Sequence, residues 1–501
     1  MADTTPWMKV FPNALAITNP GWFVNSALLI VSTGALLFAQ PDAGREAGKL
    51  ETLRLMDSRA ARFKELSRRL WENPELSFEE FKSSSLLAAE LRAAGFGVTT
   101  NVAAIPTAFV AEWGTGKPVV AVLGEYDALP ELSQHPIPER KALVTGGAGH
   151  GCGHNLLGAA GAFAAIMAKD HLQSRGMGGT VRFYGCPAEE NGAGKLHMIR
   201  AGAFKDCDVA LTWHPDDRNE PGMRSTLANQ GAYFRFHGAA AHAGRAPEKG
   251  RSALDAVMVM THAVELLREH VPQATRVHYI ITQGGTAANV VPELAEIRLT
   301  ARHPDAAELD KVWSRIIKCA EAGALATETR LELELSSGLA NVVPNDALAA
   351  IFERNMRLVG GVVYTPEERA FAVKLRATLP SDTLPPLELA GLIQPIQTET
   401  TSWSTDVGDV SWNLPTGEIR AAAFVPGVAA HTWQSTACAG MGIGQKAMIV
   451  AAKTLALTAI DLFHDPSQVE AARRSFDKIL AGKKYISRLP PNAKPELKKT
   501  R

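Results

Sequence analysis

Cysteine is scarce in this chain of 501 residues. There are five, at 152, 186, 207, 319 and 438, an odd and widely spread set that excludes a disulfide framework. Net charge is missing too. Lys plus Arg and Asp plus Glu both total 52, which gives no electrostatic reason to expect nucleic acid or an anionic membrane as a general partner, so a small substrate is expected. No internal repeat is visible. A membrane-spanning run at the N-terminus is also lacking: SALLIVSTGALLFA, at 26–39, falls short of the roughly 20 residues a span needs. It matches instead the apolar region of a signal peptide, about 7–15 residues long. Lys9 precedes it and Gln40-Pro41-Asp42 follows, although Leu37 stands where a small residue would favour a cut after Ala39. Residues 1–39 therefore predict export, periplasmic or secreted. The alternatives are a retained anchor, or a start at Met8 that leaves the protein cytoplasmic.

With 46% hydrophobic and 21% charged residues, the chain is ordinary globular material, long enough for two or three domains. Residues 50–71 carry apolar side chains at helical spacing and stop at Asn73-Pro74. Ser77-x-x-Glu80 reads as a capping box opening a helix that runs to Gly95. Strand-like runs follow at 107–113 and 118–123, the second apolar throughout, as in a strand covered on both faces. It ends in Gly124-Glu125-Tyr126-Asp127, and residues just past the carboxyl end of such a strand lie where open α/β sheets bind ligands.

The chemistry concentrates in His150-Gly-Cys152-Gly-His154-Asn155, ahead of an apolar, small-residue helix at 156–167. Extended backbone puts Cys152 and His154 on one face, with Gly151 and Gly153 free to turn. The stretch lacks both the Lys-Ser/Thr of a P-loop and the spacing of a dinucleotide fingerprint. Taken alone it is a metal corner, a thiol nucleophile or packing. Two further strands end in chemistry: 181–184 leads into Cys186-Pro187-Ala188-Glu189-Glu190, and 209–213 into His214. Neighbours on a chain point different ways, so one of Glu189 and Glu190 can bind metal while the other reaches the attacking water. With His214 and the distant His431 added, the set of S, N and O donors suits zinc, or manganese if oxygen and nitrogen dominate. From about 226 the order becomes βαββαβ, a ferredoxin-like insert, after which α/β texture resumes. The basic, proline-containing end, from Lys483-Lys484 to Lys498-Lys499 and Arg501, reads as a solvated tail.

The segments GEYDALP, GHGCGHNLLG, CPAEENGAGK, TWHP, AAHAGRAPEKGRSALDA and GGTAANVVPE, spread in order over about 50–464, resemble the di-metal amidohydrolases that include aminoacylases, carboxypeptidase G and auxin-conjugate hydrolases. Within that group they are most similar to the p-aminobenzoyl-glutamate hydrolase branch. The resemblance implies an α/β zinc-peptidase-like catalytic domain with a mostly parallel central sheet, in two parts at 48–225 and 341–470. A ferredoxin-like lid and dimerisation domain at 226–340 interrupts it, and a tail at 471–501 follows. Two divalent ions, Zn or Mn, are implied, held by Cys152, His154, Glu190, His214 and His431 with Cys152 a candidate bridge, and Glu189 as general base. Lid His242 and Asn289 are implied at the oxyanion, often across a dimer interface, and Arg302 is a candidate fork for a substrate carboxylate. Asp127, His150 and Asp406 are expected outside the ligand set, orienting it. Two departures stand out: Asn155 replaces the aspartate of many relatives, and GEYDALP lacks the metal-site histidine of the wider group.

The expected reaction is hydrolysis of an N-acyl or N-aroyl amino acid by a homodimer, with higher oligomers left open. A cysteine-nucleophile amidase built on Cys152, and a non-catalytic binding protein of the same fold, are the competing readings.

Overall fold

The computed structural model describes residues 43–222, 224–380, 383–490 and 492–497, so the expected signal segment 1–39 lies outside the described residues. Among the described residues, eleven strands form two sheets. In chain order they are β1 (Gly97–Thr100), β2 (Phe109–Thr115), β3 (Val119–Glu125), β4 (Gly179–Cys186), β5 (Val209–Asp216), β6 (Glu220–Pro221), β7 (Ala228–His237), β8 (Arg276–Gln283), β9 (Leu294–His303), β10 (Arg330–Leu339) and β11 (Thr416–Ala422).

The larger sheet has the order β1-β2-β4-β3-β5-β11-β6. Its four central strands, β4, β3, β5 and β11, run parallel, and antiparallel strands flank them. Every position of β3 is buried, because helices cover both of its faces. Val120 and Val122 face one core with Phe63, Leu66 and Phe163, whereas Ala121 and Leu123 face a smaller one with Tyr184, Met198 and Val410. Phe63 of the helix Ala43–Trp71 stacks on Phe163 of the helix His154–Ser174, ring centroids 3.9 Å apart. Small residues let that second helix lie close against β3: a Cβ on Gly158 would come within 2.8 Å of the Glu125 carbonyl oxygen. The helix Gly442–His464 is apolar enough to pass for a membrane span, but 83% of its apolar stretch is buried inside the fold.

The smaller sheet, β10-β7-β9-β8, is antiparallel throughout, the ferredoxin-like order. Helices Ala253–Leu267 and Ala306–Ala326 cover one face, their N-termini capped by Ser252 and Asp305. Along β9 the side chains alternate: Ala295, Ile297, Leu299 and Ala301 are buried, while Glu296, Arg298, Thr300 and Arg302 point to the opposite face.

Two local readings are corrected. Ser77 and Glu80 form no capping box: the helix starts at Phe81 without a side-chain cap, and Ser77 Oγ donates to Asp127 Oδ2 at 3.1 Å. Glu80 is buried and accepts from Phe78 N, Ala188 N and Thr107 Oγ1, bracing the turn that carries Glu189. The tail is not simply solvated. The helix Pro466–Leu480 buries Ala472 and Phe476, and Arg488 is 7% exposed; Lys498, Lys499 and Arg501 of its basic end lie outside the described residues.

Buried Asp409 accepts hydrogen bonds from Ala340 N at 3.0 Å and Tyr485 Oη at 2.8 Å. Burial, with Asp406 adding to it, pushes its carboxyl up to about 7, so the folded state holds a proton that the unfolded state releases near pH 4. Its contribution to stability must therefore fall as pH rises from about 4 through 7. Thermal melts of Asp409→Asn against the parent are expected to show the variant gaining relative stability between about pH 5 and pH 8.

Candidate metal centre

Three parallel strands deliver the reactive side chains to one edge. β3 ends in Glu125, with Asp127 just past it; past β4 come Glu189 and Glu190; and β5 itself carries His214. Cys152 precedes the helix His154–Ser174, whose N-cap Gly153 takes φ 77°, in the region that favours glycine. A side chain there would also meet the Pro215 ring at 2.9 Å. His431, at φ 63°, is tied to the same loop although it is remote in sequence: its N–H donates to the Gly151 carbonyl at 2.9 Å, and Ser435 Oγ donates to that oxygen at 2.6 Å.

The donor atoms cluster in overlapping trios. Cys152, His154 and His214 place one ligand atom each within 4.8 Å of one another, and so do Cys152, Glu190 and His431. Cys152 belongs to both. Its Sγ lies 3.3 Å from His214 Nε2, and His431 Nε2 lies 3.4 Å from Glu190 Oε2. A third trio, Glu125, His154 and Glu189, meets the first at His154.

These residues fit divalent ions on two grounds. First, buried Glu190 Oε1 has no hydrogen-bond partner among the described residues, a cost of about 1–3 kcal/mol unless something else satisfies it, and buried His154 Nε2 makes no hydrogen bond either, its charged neighbour being Glu125 Oε2 at 3.3 Å. Second, the carboxylates of Glu125, Asp127, Glu189, Glu190 and Asp406 converge there, and the Lys195 ammonium between Glu125 and Asp406, 2.6 Å from each, offsets only part of that charge. Burial, reinforced by Glu125, Asp406 and Glu190, raises the Glu189 carboxyl well above its usual range, and burial lifts Glu190 to about 7. Two of the imidazoles are neutral and ready to bind: burial and Arg420 lower His214 to about 3, and burial also lowers His431. His154 goes the other way. Burial opposes its charged form, but Cys152 and Asp127 together raise it, so an ion entering there displaces a proton. Burial and Glu190 push the Cys152 thiol far up against the opposing pull of His154, the opposite of an activated nucleophile.

Around this set, Asp127 Oδ1 holds His154 Nδ1 at 2.9 Å while its Oδ2 accepts from Glu190 N, fixing one ring and one backbone turn. Asp406 reaches the centre through Lys195. His150 is buried with Nε2 3.2 Å from the Leu70 carbonyl, and burial lowers it to about 4. The sequence reading placed Glu125 at a ligand-binding strand end without giving it a role, though it lies 3.3 Å from His154 Nε2, and it missed Lys195, fully buried. The position of Glu125 at the end of an all-apolar strand was the available signal. Lys195, a lysine beyond a glycine-containing turn, offered none.

A cavity of about 900 Å³ opens over the centre, lined by Glu189, Glu190, His214 and His431 on one side and by Arg298 and Arg302 of β9 on the other. Arg302 Nη1 reaches Ser404 Oγ at 3.5 Å. His242 and Asn289 do not line the cavity. They lie on lid segments joined by a His242–Val290 bridge.

Residues 228–328 match the family model described as a peptidase dimerisation domain. The chain is 41% identical over 460 residues to a p-aminobenzoyl-glutamate hydrolase subunit of Escherichia coli, covering 87% of this chain and 96% of that protein. It belongs to the M20 family of hydrolases. Xaa-Arg dipeptidase of Mus musculus is 32% identical over 436 residues, covering 84% and 90% of the two chains. Among solved structures, a dinuclear metal-binding M20 peptidase of Bacillus subtilis superposes with a TM-score of 0.57 at 19% identity, covering 81% of this chain and 99% of the other. An aminobenzoyl-glutamate utilization protein of Klebsiella pneumoniae gives 0.53 at 19%, covering 81% and 97%. The M20 fold thus accounts for the split catalytic domain and its inserted lid.

Because Cys152 is shared by two trios and His214 belongs to one, their substitutions separate. After dialysis, elemental analysis is expected to find Cys152→Ala depleted of both ions per chain and His214→Ala depleted of about one.

Proposed function

We propose that this M20 hydrolase cleaves the amide bond of N-acyl or N-aroyl amino acids at a two-metal centre held by Cys152, His154, Glu190, His214 and His431, with Glu189 as general base. The two ligand trios sharing Cys152, with Glu189 beside them on the cavity wall, carry this reading. Zinc or manganese suits the donors, and two such ions supply Lewis acidity to the attacking water and the amide carbonyl. Glu189 takes the proton of the attacking water and returns it to the leaving amine nitrogen. Asp127 and the Glu125–Lys195–Asp406 chain keep the neighbouring groups from moving as charge develops.

Arg298 and Arg302 have no carboxylate partner among the described residues, which supports a substrate with free carboxylates, aminobenzoyl-glutamate-like rather than a neutral amide. A homodimer through the lid is supported by β8, an edge strand of its sheet with Ile280 62% and Ile281 43% exposed. His242 and Asn289 would then serve the site of the other copy. The apolar run at 26–39 supports export.

Glu189→Gln is expected to retain both ions and lose at least about 10³-fold in kcat on N-benzoyl-glutamate. Unchanged turnover in that variant, or full activity in protein stripped by a chelator, would overturn the reading. A panel of acylated amino acids tests specificity: glutamate and aspartate amides are expected to lead, and preference for aliphatic acyl groups would move the function to a general aminoacylase.

A further inference from the structure

The C-terminal segment performs a task that its composition conceals. Leaving the helix Pro466–Leu480, the chain runs along the rim of the cavity and touches both the lid and the catalytic domain. On the lid side, Lys483 Nζ pairs with Asp305 Oδ2 at 2.8 Å. Arg488, whose side chain is 5% exposed, pairs with Asp310 Oδ1 at 2.8 Å and donates to the Ala306 carbonyl at 2.8 Å. The Arg488 stem lies so close to Gly338 of β10 that a Cβ on that glycine would come within 2.5 Å of the arginine Cβ. On the catalytic side, Tyr485 Oη donates to Asp409 Oδ1, and Arg200 Nη1 donates to the Ala493 carbonyl at 3.0 Å. Beside these anchors Leu489, Pro490, Ala493, Lys494 and Glu496 face the cavity that holds Cys152 and Glu189.

A solvated tail would not bury an arginine with two partners, nor anchor to both halves of the molecule. We infer that residues 483–490 and 492–496 form a strap that closes the cavity away from the metal centre and sets the length of substrate the site accepts. The inference rests on the amidohydrolase reading for its substrate class, and on the anchors alone for its geometry. Binding pockets get their selectivity from walls of this kind, since an apolar or backbone wall rejects a longer ligand by contact. Ala493 is the most sensitive position, because a larger side chain there projects from a backbone that Arg200 holds in place.

Two measurements on the full-length, metal-loaded protein and its metal-stripped form test it. The first is kcat/KM on two ladders of N-acyl glutamates and N-benzoyl dipeptides, each graded by length, for the parent, Ala493→Trp, Leu489→Trp and Arg488→Ala. The tryptophan variants are expected to lower the long-to-short ratio at least about tenfold on one ladder, and Arg488→Ala to raise it. The second is the rate at which maleimides of increasing size alkylate Cys152 in metal-stripped protein, read by peptide mass spectrometry, with the same shifts expected in the size cut-off. If all variants scale every substrate and every maleimide equally, or leave them unchanged, the strap is only structural and the inference fails. If the parent cleaves no member of either ladder, the amidohydrolase reading fails, and the maleimide cut-off alone decides the strap.

Discussion

Buried negative charge in need of a counter-charge is the constraint on which this molecule turns. The parallel strands β3 and β4 bring Glu125, Asp127, Glu189 and Glu190 to one edge, and the loop before the helix Val407–Ser411 adds Asp406. Lys195 answers only two of them, with contacts of 2.6 Å to Glu125 and Asp406. Burial, with the crowding of carboxylates added to it, raises the proton affinities of Glu189 and Glu190. Divalent ions held there would relieve that repulsion and at the same time give His154 Nε2 and Glu190 Oε1 the partner that neither has as a hydrogen bond. The same charge excess that makes the bare site costly would hold the ions that the proposed chemistry needs.

Much of this was legible along the chain, because the relevant physics is local. A continuous apolar run marks a strand covered on both faces, as β3 shows, and the carboxyl end of such a strand marks a place for ligands, where β3, β4 and β5 all carry reactive side chains. The lid's strand and helix periods likewise predict βαββαβ, and the observed order β10-β7-β9-β8 is that unit folded. What escaped depends on contacts between distant segments. Ser77 and Glu80 have the spacing of a capping box, yet their partners, Asp127 and Ala188, lie 50 and 108 residues away and outcompete the local cap. Lys195 looks like a surface lysine until Glu125 and Asp406 meet around it. Arg488 sits in a basic, proline-containing stretch that composition assigns to solvent, and only the folded lid offers it Asp310 and the Ala306 carbonyl.

The two sheets divide the work. The larger one holds reactive groups at its strand ends, where backbone and helix contacts limit their movement, while the lid presents alternate residues of β9, among them Arg298 and Arg302, across the cavity. Period-two alternation lets one strand do both tasks, burying its odd-numbered side chains under lid helices and offering the even-numbered ones to a ligand. The C-terminal segment joins the halves, so that catalytic domain, lid and C-terminal segment all contribute to the cavity wall. His242 and Asn289 belong to the lid and do not line the cavity.

Diffraction from crystals grown with zinc, with anomalous difference maps recorded on both sides of the metal edge, tests the central claim most directly. The account predicts two peaks about 3.5–4 Å apart, both within bonding distance of Cys152 Sγ, one shared with His154 or His214 and the other with Glu190 and His431. A single peak, or ions bound without Cys152, would contradict it.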